Sequence, residues 1–134
     1  MRSKLIKILL VLTLVTVLLT PGFLFASPIS YTAYTLKRLQ ADTYTDNHSK
    51  QTTDQYIWNN VTALTDTDCA QFWATLGSSS GQTRVSNIYT QYLNSSLNIP
   101  FTSYLGSGTV LAMGMRNGRV SLNYAWVSGQ VDFR

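Results

Sequence analysis

The sequence predicts an all-β fold: a single antiparallel β-sandwich of about seven or eight short strands, after an N-terminal signal helix. Three observations predict it. From position 27 onward, 27 of 108 residues are Ser or Thr, and all eight Tyr and all three Trp fall in the same stretch. Thr, Tyr and Trp suit a pleated, half-buried surface. Apolar and polar residues alternate over short runs, the period of a strand with one buried face. There is no Glu in the chain, so the residue that commonly fills exposed helix faces is missing.

The strands are expected in the following order. Tyr31 to Arg38 opens the sheet region, and the polar stretch Asp42 to Lys50 reads as a loop. Gln55 to Trp58 and Val61 to Thr65 read as two strands with Asn59-Asn60 between them. Cys69 to Leu76 alternates, with Ala70, Phe72, Ala74 and Leu76 on one face and Gln71, Trp73 and Thr75 on the other. Gly77 to Gly81 is a Ser/Gly loop, and Thr83 to Tyr89 a further strand. Ile88 to Leu97 is the one place where a short helix competes, and Asn94 to Gly108, with Pro100 and two glycines, reads as irregular. Thr109 to Met115 and Arg119 to Val127 are expected to form a hairpin through Asn117-Gly118, the dipeptide that type I′ turns favour. In that hairpin Val120, Leu122, Tyr124 and Trp126 take the core face, as Tyr56 and Trp58 do in theirs. Ser128-Gly129 marks a break before a last strand, Gln130 to Phe133.

The first 26 residues read differently. Arg2, Lys4 and Lys7 precede an apolar run from Ile8 to Leu19, then Pro21-Gly22, then a small residue at Ala26. That order is the order of a secretory signal peptide. The run is shorter than the about 20 residues of a spanning helix. Residues 1–26 are therefore read as a signal peptide cleaved after Ala26, and residues 27–134 as one secreted domain that meets membrane through the signal segment alone.

Charge and composition exclude several functions. The formal net charge of +4 falls to +1 without Arg2, Lys4 and Lys7, seven basic residues then facing six Asp. A nucleic-acid binder needs a basic stripe, so no nucleic-acid partner is expected. One His and one Cys cannot build a zinc site, and no cofactor is expected. Cys69, alone in an exported chain, is read as a small buried hydrophobe, with an intermolecular disulfide as the alternative. Gly77-Ser78-Ser79-Ser80-Gly81 matches G-x-S-x-G, but no helix start follows Ser79, and the chain is too short for the fold that uses this elbow. His48 lies near Asp42, Asp46 and Asp54 in a polar run that reads as a solvated loop. Asp66-Thr67-Asp68 supplies two carboxylates, fewer than Ca²⁺ needs, and reads as a hydrophilic turn. No paired carboxylates lie in apolar surroundings. Asn47, Asn60 and Asn94 head glycosylation sequons. The catalytic residues are accordingly expected to be none.

Aromatic enrichment is what remains. Trp73, opposite Phe72 and Ala74, is the candidate ligand contact: an exposed Trp on a sheet can stack on a sugar or a protein surface, the alternative being a central strand buried on both faces.

The C-terminal half also resembles a known group. Phe72-Trp73, Arg84-Val85-Ser86, Val110-Leu111, an Asn-containing turn and the terminal Ser128-Gly129-x-x-Asp132 are similar to small secreted Gram-positive proteins, loosely related to lactococcin-972-type bacteriocins. Gln51-Thr52-Thr53 followed by Trp58 and Val61 is similar to their N-terminal half. Val131 stands where a Trp is common in that group. The resemblance implies an antiparallel β-sandwich, secretion by a Gram-positive cell and no known catalytic residues.

The expected function is a secreted, non-enzymatic protein binding at a cell envelope, to cell-wall glycan or an envelope protein, with a bacteriocin-like role implied by the resemblance. The alternative is a structural or adhesive surface protein that self-associates through sheet edges. N-terminal sequencing of the secreted form checks the export reading. The expected product begins at or near Ser27, and a membrane-fixed product beginning at residue 1 contradicts it.

Overall fold

The computed structural model describes residues 27–77 and 82–134. The signal segment with its cleavage position and Ser79 lie outside the described residues. The described residues form an antiparallel β-sandwich. Its elements are β1 (Ile29–Leu36), a 3-10 turn at Arg38–Gln40, β2 (Thr43–Tyr44), β3 (His48–Ser49), β4 (Tyr56–Thr65), β5 (Cys69–Leu76), β6 (Thr83–Arg84), β7 (Tyr89–Tyr92), β8 (Ser96–Pro100), β9 (Val110–Asn117) and β10 (Ala125–Asp132). One sheet has the order β1-β10-β4-β8. The other runs β2-β9-β5-β6, with β3 also on β9 and β7 also on β5.

Alternation decides which side chains meet between the sheets. Leu36, Ile57, Val61, Val127 and Val131 of the first sheet pack with Ala70, Phe72, Ala74, Leu111, Met113 and Met115 of the second. Each apolar side chain of this size gains about 1.5–3 kcal/mol on full burial. Phe72 and Ala74 thus take the core side, as their spacing predicts.

A polar seam crosses this core. The Tyr31 hydroxyl donates to Asn59 Oδ1 at 2.9 Å, and Asn59 Nδ2 donates to Gln91 Oε1 at 2.7 Å. Gln91 Nε2 in turn donates to the carbonyls of Asn59 and Ser95. Tyr31, Asn59 and Gln91 are all buried, and burial pushes the Tyr31 phenol well above its ordinary value. Tyr31 sits on β1 and Asn59 on β4, with β10 between them. The ring reaches across because Gly129 of β10 lies directly opposite Tyr31. A Cβ on Gly129 would stand 2.2 Å from the Asn60 carbonyl oxygen and 2.5 Å from the Tyr31 hydroxyl.

Several sequence expectations are corrected here. Asn117-Gly118 does not join a hairpin: β9 and β10 belong to different sheets, and residues 118–124 cross between them. Gly118 instead gives close approach, since a Cβ there would stand 2.4 Å from Cys69 Sγ. Val120 and Leu122 are 75% and 74% exposed, and Tyr124 and Trp126 are exposed as well. The inward residues of β10 are Ala125, Val127 and Val131. Gly129 does not break the strand but lies within it. Asn59-Asn60 does not divide two strands either, because Asn59 turns inward as the partner of Tyr31. In that register Ile57 and Val61 share the inward face, and Tyr56 and Trp58 are half-buried outside it. Residues 88–97 form β7, a turn and β8 rather than a helix, and the polar stretch before Lys50 contributes β2 and β3.

Stability measurements separate these roles. Gly129→Ala should lose about 2–3 kcal/mol in a denaturant titration, because the new methyl meets backbone on one side and Tyr31 on the other. Phe72→Ala should lose about 3–5 kcal/mol. Trp126→Ala should lose less than about half as much as Phe72→Ala, since its ring is partly exposed. A Trp126 loss equal to that of Phe72 would contradict the assigned face.

Candidate functional site

Trp73 does not present a free ring. It is 3% exposed, although it points away from the core cluster. It lies directly opposite Gly114 of β9, which in turn lies opposite Tyr44 of β2. A Cβ on Gly114 would come within 2.2 Å of the indole. Across that gap Tyr44 meets Trp73 edge-on, with ring centroids 6.2 Å apart and planes at 88°. The Arg116 guanidinium stands 5.7 Å from the Trp73 ring centre, and Arg116 Nε donates to Gln71 Oε1 at 2.7 Å. Of the two readings of Trp73, exposed on the sheet or buried in a strand covered on both faces, the structure has the second, for a physical reason. Alternation places the ring outside the core, but β2 adds a strand beyond β9 and carries the aromatic that closes over it.

Two open aromatic side chains, Tyr124 and Trp126, stand together at one end of the sandwich. β1 ends there at Leu36, β4 at Thr65 and β9 at Asn117, while β5 begins at Cys69 and β10 at Ala125. Three connections meet at this end: the turn around Arg38–Gln40, residues 66–68 and residues 118–124. They are tied together. The Leu39 amide donates to the Ser121 carbonyl at 2.8 Å, and Gln40 Nε2 donates to the Asn117 carbonyl at 3.2 Å. Asn117 is buried, and its Oδ1 accepts from the Arg119 amide and the Thr67 hydroxyl. Arg119 then forms a forked pair with Asp68, Nε to Oδ1 at 3.1 Å and Nη2 to Oδ2 at 2.8 Å. The Arg119 guanidinium pushes the Asp68 carboxyl down to about 2, and Asp68 holds Arg119 above its ordinary range.

Between these connections lies an open cleft of about 520 Å³ lined by Arg38, Asp66, Ser121, Asn123, Tyr124 and Trp126. Trp126 stands on the outward face of β10 between Thr35 and Thr65, its neighbours on β1 and β4. The Arg38 guanidinium lies 4.6 Å from the centre of the Tyr124 ring. Asp66 is exposed at a backbone φ of 62°. A second cleft, of about 290 Å³ at the opposite end, is lined by Gln55, Phe101, Thr102, Ser103 and Tyr104. There the Gln55 carboxamide is already engaged with Thr53 and with both backbone groups of Leu105.

The other residues singled out in the sequence are dispersed. The His48 ring stacks on Phe133, centroids 5.0 Å apart, and Asp42 accepts from the Tyr44 hydroxyl instead. Asp68 is committed to Arg119, and among the described residues no three His, Cys, Asp or Glu side chains group as metal ligands. Cys69 is a free, buried thiol; burial and the Asp68 charge push its pKa up, which disfavours the reactive thiolate. Asn47 and Asn94 are exposed, and Asn60 is half-buried within β4. Lys50, which drew no notice in the sequence, is buried, with Nζ donating to the Thr52 carbonyl and its pKa lowered by burial.

No family model and no curated protein matches the sequence. Among solved structures, the chain is similar to PirA, known from a crystal structure, at 8% identity over 84% of this chain and 100% of that one, with a TM-score of 0.48.

The Asp68–Arg119 pair gives a pH prediction. A carboxyl with a lowered folded-state pKa adds stability that is present above its ordinary value and lost as pH falls through the folded one. An NMR titration of the Asp68 carboxyl should show a midpoint of about 2, rising toward 3.8 in Arg119→Gln. A midpoint near 3.8 in the unaltered protein would contradict the pairing.

Proposed function

We propose that this chain is a secreted, non-enzymatic β-sandwich protein that binds at a cell envelope, and that it binds through the end of the sandwich carrying the Tyr124–Trp126 cleft. The observation that carries this reading is where apolar surface is left open. Of the ten large hydrophobic side chains exposed among the described residues, Tyr124 and Trp126 line that cleft, and Leu39, Val120 and Leu122 are chain neighbours of its lining residues Arg38, Ser121 and Asn123. A concentration of exposed apolar groups with a polar rim marks an interaction surface. Loops held on a rigid scaffold are also where binding residues usually lie.

Binding rather than chemistry suits the site. Asp66, Ser121 and Asn123 can hydrogen-bond a ligand. The net charge of +1 beyond Ala26 gives little attraction to anionic lipid. A bacteriocin-like role is compatible with such binding, and growth-inhibition assays against related bacteria address it. The alternative, assembly through sheet edges, needs a long straight edge. β1 is bulged between Tyr31 and Tyr34, β8 ends in Pro100, and β2, β3 and β6 are two residues each. Such edges favour the binding reading.

Sedimentation with isolated Gram-positive cell walls tests it. The protein should sediment with the walls, and the double variant Tyr124→Ala/Trp126→Ala should lose about tenfold in retention while its unfolding transition stays cooperative. Equal retention of the folded double variant, or no retention of either protein, overturns the proposal.

A further inference from the structure

We infer that the cleft lined by Arg38, Asp66, Ser121, Asn123, Tyr124 and Trp126 is a glycan subsite for a neutral pyranoside with equatorial hydroxyl groups. This rests on the reading of the same end as the envelope-binding surface, and names the chemistry it recognises. Four features combine. The first is the floor. Trp126 projects from the outward face of β10, and the residue is 38% exposed. A pyranose whose hydroxyls are all equatorial has flat faces of C–H groups that fit such a ring, whereas an axial hydroxyl would hold the sugar away from it.

The second is unspent hydrogen-bonding capacity. Among the described residues, no side-chain hydrogen bond or ion pair engages Asp66, and the Asn123 carboxamide likewise has no partner. The Ser121 hydroxyl oxygen accepts from the Asn123 amide at 3.0 Å, which leaves its proton to donate. A carboxylate, a carboxamide and a hydroxyl around one aromatic ring provide the donors and acceptors that a run of sugar hydroxyls needs. The third is charge. Arg38 and Asp66 leave the lining with no formal net charge, which a neutral ligand suits. The fourth is Asp66 itself. At a φ of 62° it occupies the left-handed region, which Asn or Gly would fill equally well. The turn therefore does not require a carboxylate. The volume of about 520 Å³ lies in the range of small-molecule sites.

The test uses protein purified from expression of the full chain, with cellotetraose and chitotetraose as probes. Both, the second in its fully N-acetylated form, are neutral chains whose ring substituents are equatorial: hydroxyls in the first, hydroxyls and acetamides in the second. Tryptophan emission is followed during titration, and wall sedimentation is run in parallel with and without the sugar. At least one probe should change the emission saturably, and the same probe should release the protein from walls. Asp66→Asn keeps a residue that tolerates the left-handed turn, so it should leave the unfolding midpoint unchanged while weakening the probe about tenfold. Trp126→Phe should retain most of the binding that Trp126→Ala loses. If walls retain the protein but neither sugar at about 10 mM changes the emission or releases it, the glycan assignment is overturned and the envelope surface stands. If a sugar binds as described but walls do not retain the protein, the subsite stands and the envelope reading falls. If neither occurs, both fall.

Discussion

A single phenol reaching across a strand holds the first sheet in register. Tyr31 leaves β1, passes over Gly129 and gives its proton to Asn59 on β4, whose amide passes the chain of hydrogen bonds on to Gln91 in the opposite sheet. Buried polar groups are costly when unpaired, because nothing replaces the water they lose. Here every member has a partner, so a slip in the pairing of β1, β10 or β4 would strand at least one of them. A purely apolar core would resist such a slip less strongly, since a slipped strand can often find other apolar neighbours.

The outer face of the second sheet repeats the device without the hydrogen bond. Trp73 lies over Gly114 and meets Tyr44 on the far strand, as Tyr31 lies over Gly129 and meets Asn59. In both cases a glycine within a strand removes the side chain that would block an aromatic ring from spanning it. The functional consequence is indirect. Aligned strands end together, so the connections at Arg38–Gln40, at residues 66–68 and at residues 118–124 meet at one end. There the Asn117 carboxamide and the Asp68–Arg119 fork brace the walls of the Tyr124–Trp126 cleft. Rigid walls around an open floor are what a binding site needs if ligand contacts are not to be spent on ordering loops.

These two glycines also explain which parts of the fold were legible. Cys69 to Leu76 shows its period plainly, and its strand and inward residues follow from it. The last strand misleads because Ser128-Gly129 has the composition of a turn. A break of β10 there puts its beginning upstream, in the alternating run Val120, Leu122, Tyr124, Trp126. That run has the spacing of a core face but does not face the core, since most of it lies in the crossover between the sheets. Asn59-Asn60 misled in the same way: a pair with turn chemistry sits inside a strand because one carboxamide has a buried partner 28 residues away. Alternation puts Trp73 on the outward face, yet no local pattern announces that Tyr44 covers it. Tyr124 and Trp126 of the cleft share the spacing of a core face, so the sequence pattern alone places them in the core. Asp66, Ser121 and Asn123 lie in connections whose meeting depends on tertiary structure alone.

A double-mutant cycle on Tyr31→Phe and Asn59→Val tests most directly whether the polar seam acts as one unit. Tyr31→Phe alone strips Asn59 Oδ1 of its donor, and Asn59→Val alone leaves a buried hydroxyl without an acceptor; each should lose about 1–3 kcal/mol in denaturant titrations. Removing both groups removes the mutual need. The double variant should therefore be more stable than the sum of the single losses implies, by about 1 kcal/mol or more. Losses that add to within about 0.5 kcal/mol would show that the two groups act independently and that the register is held by apolar packing instead.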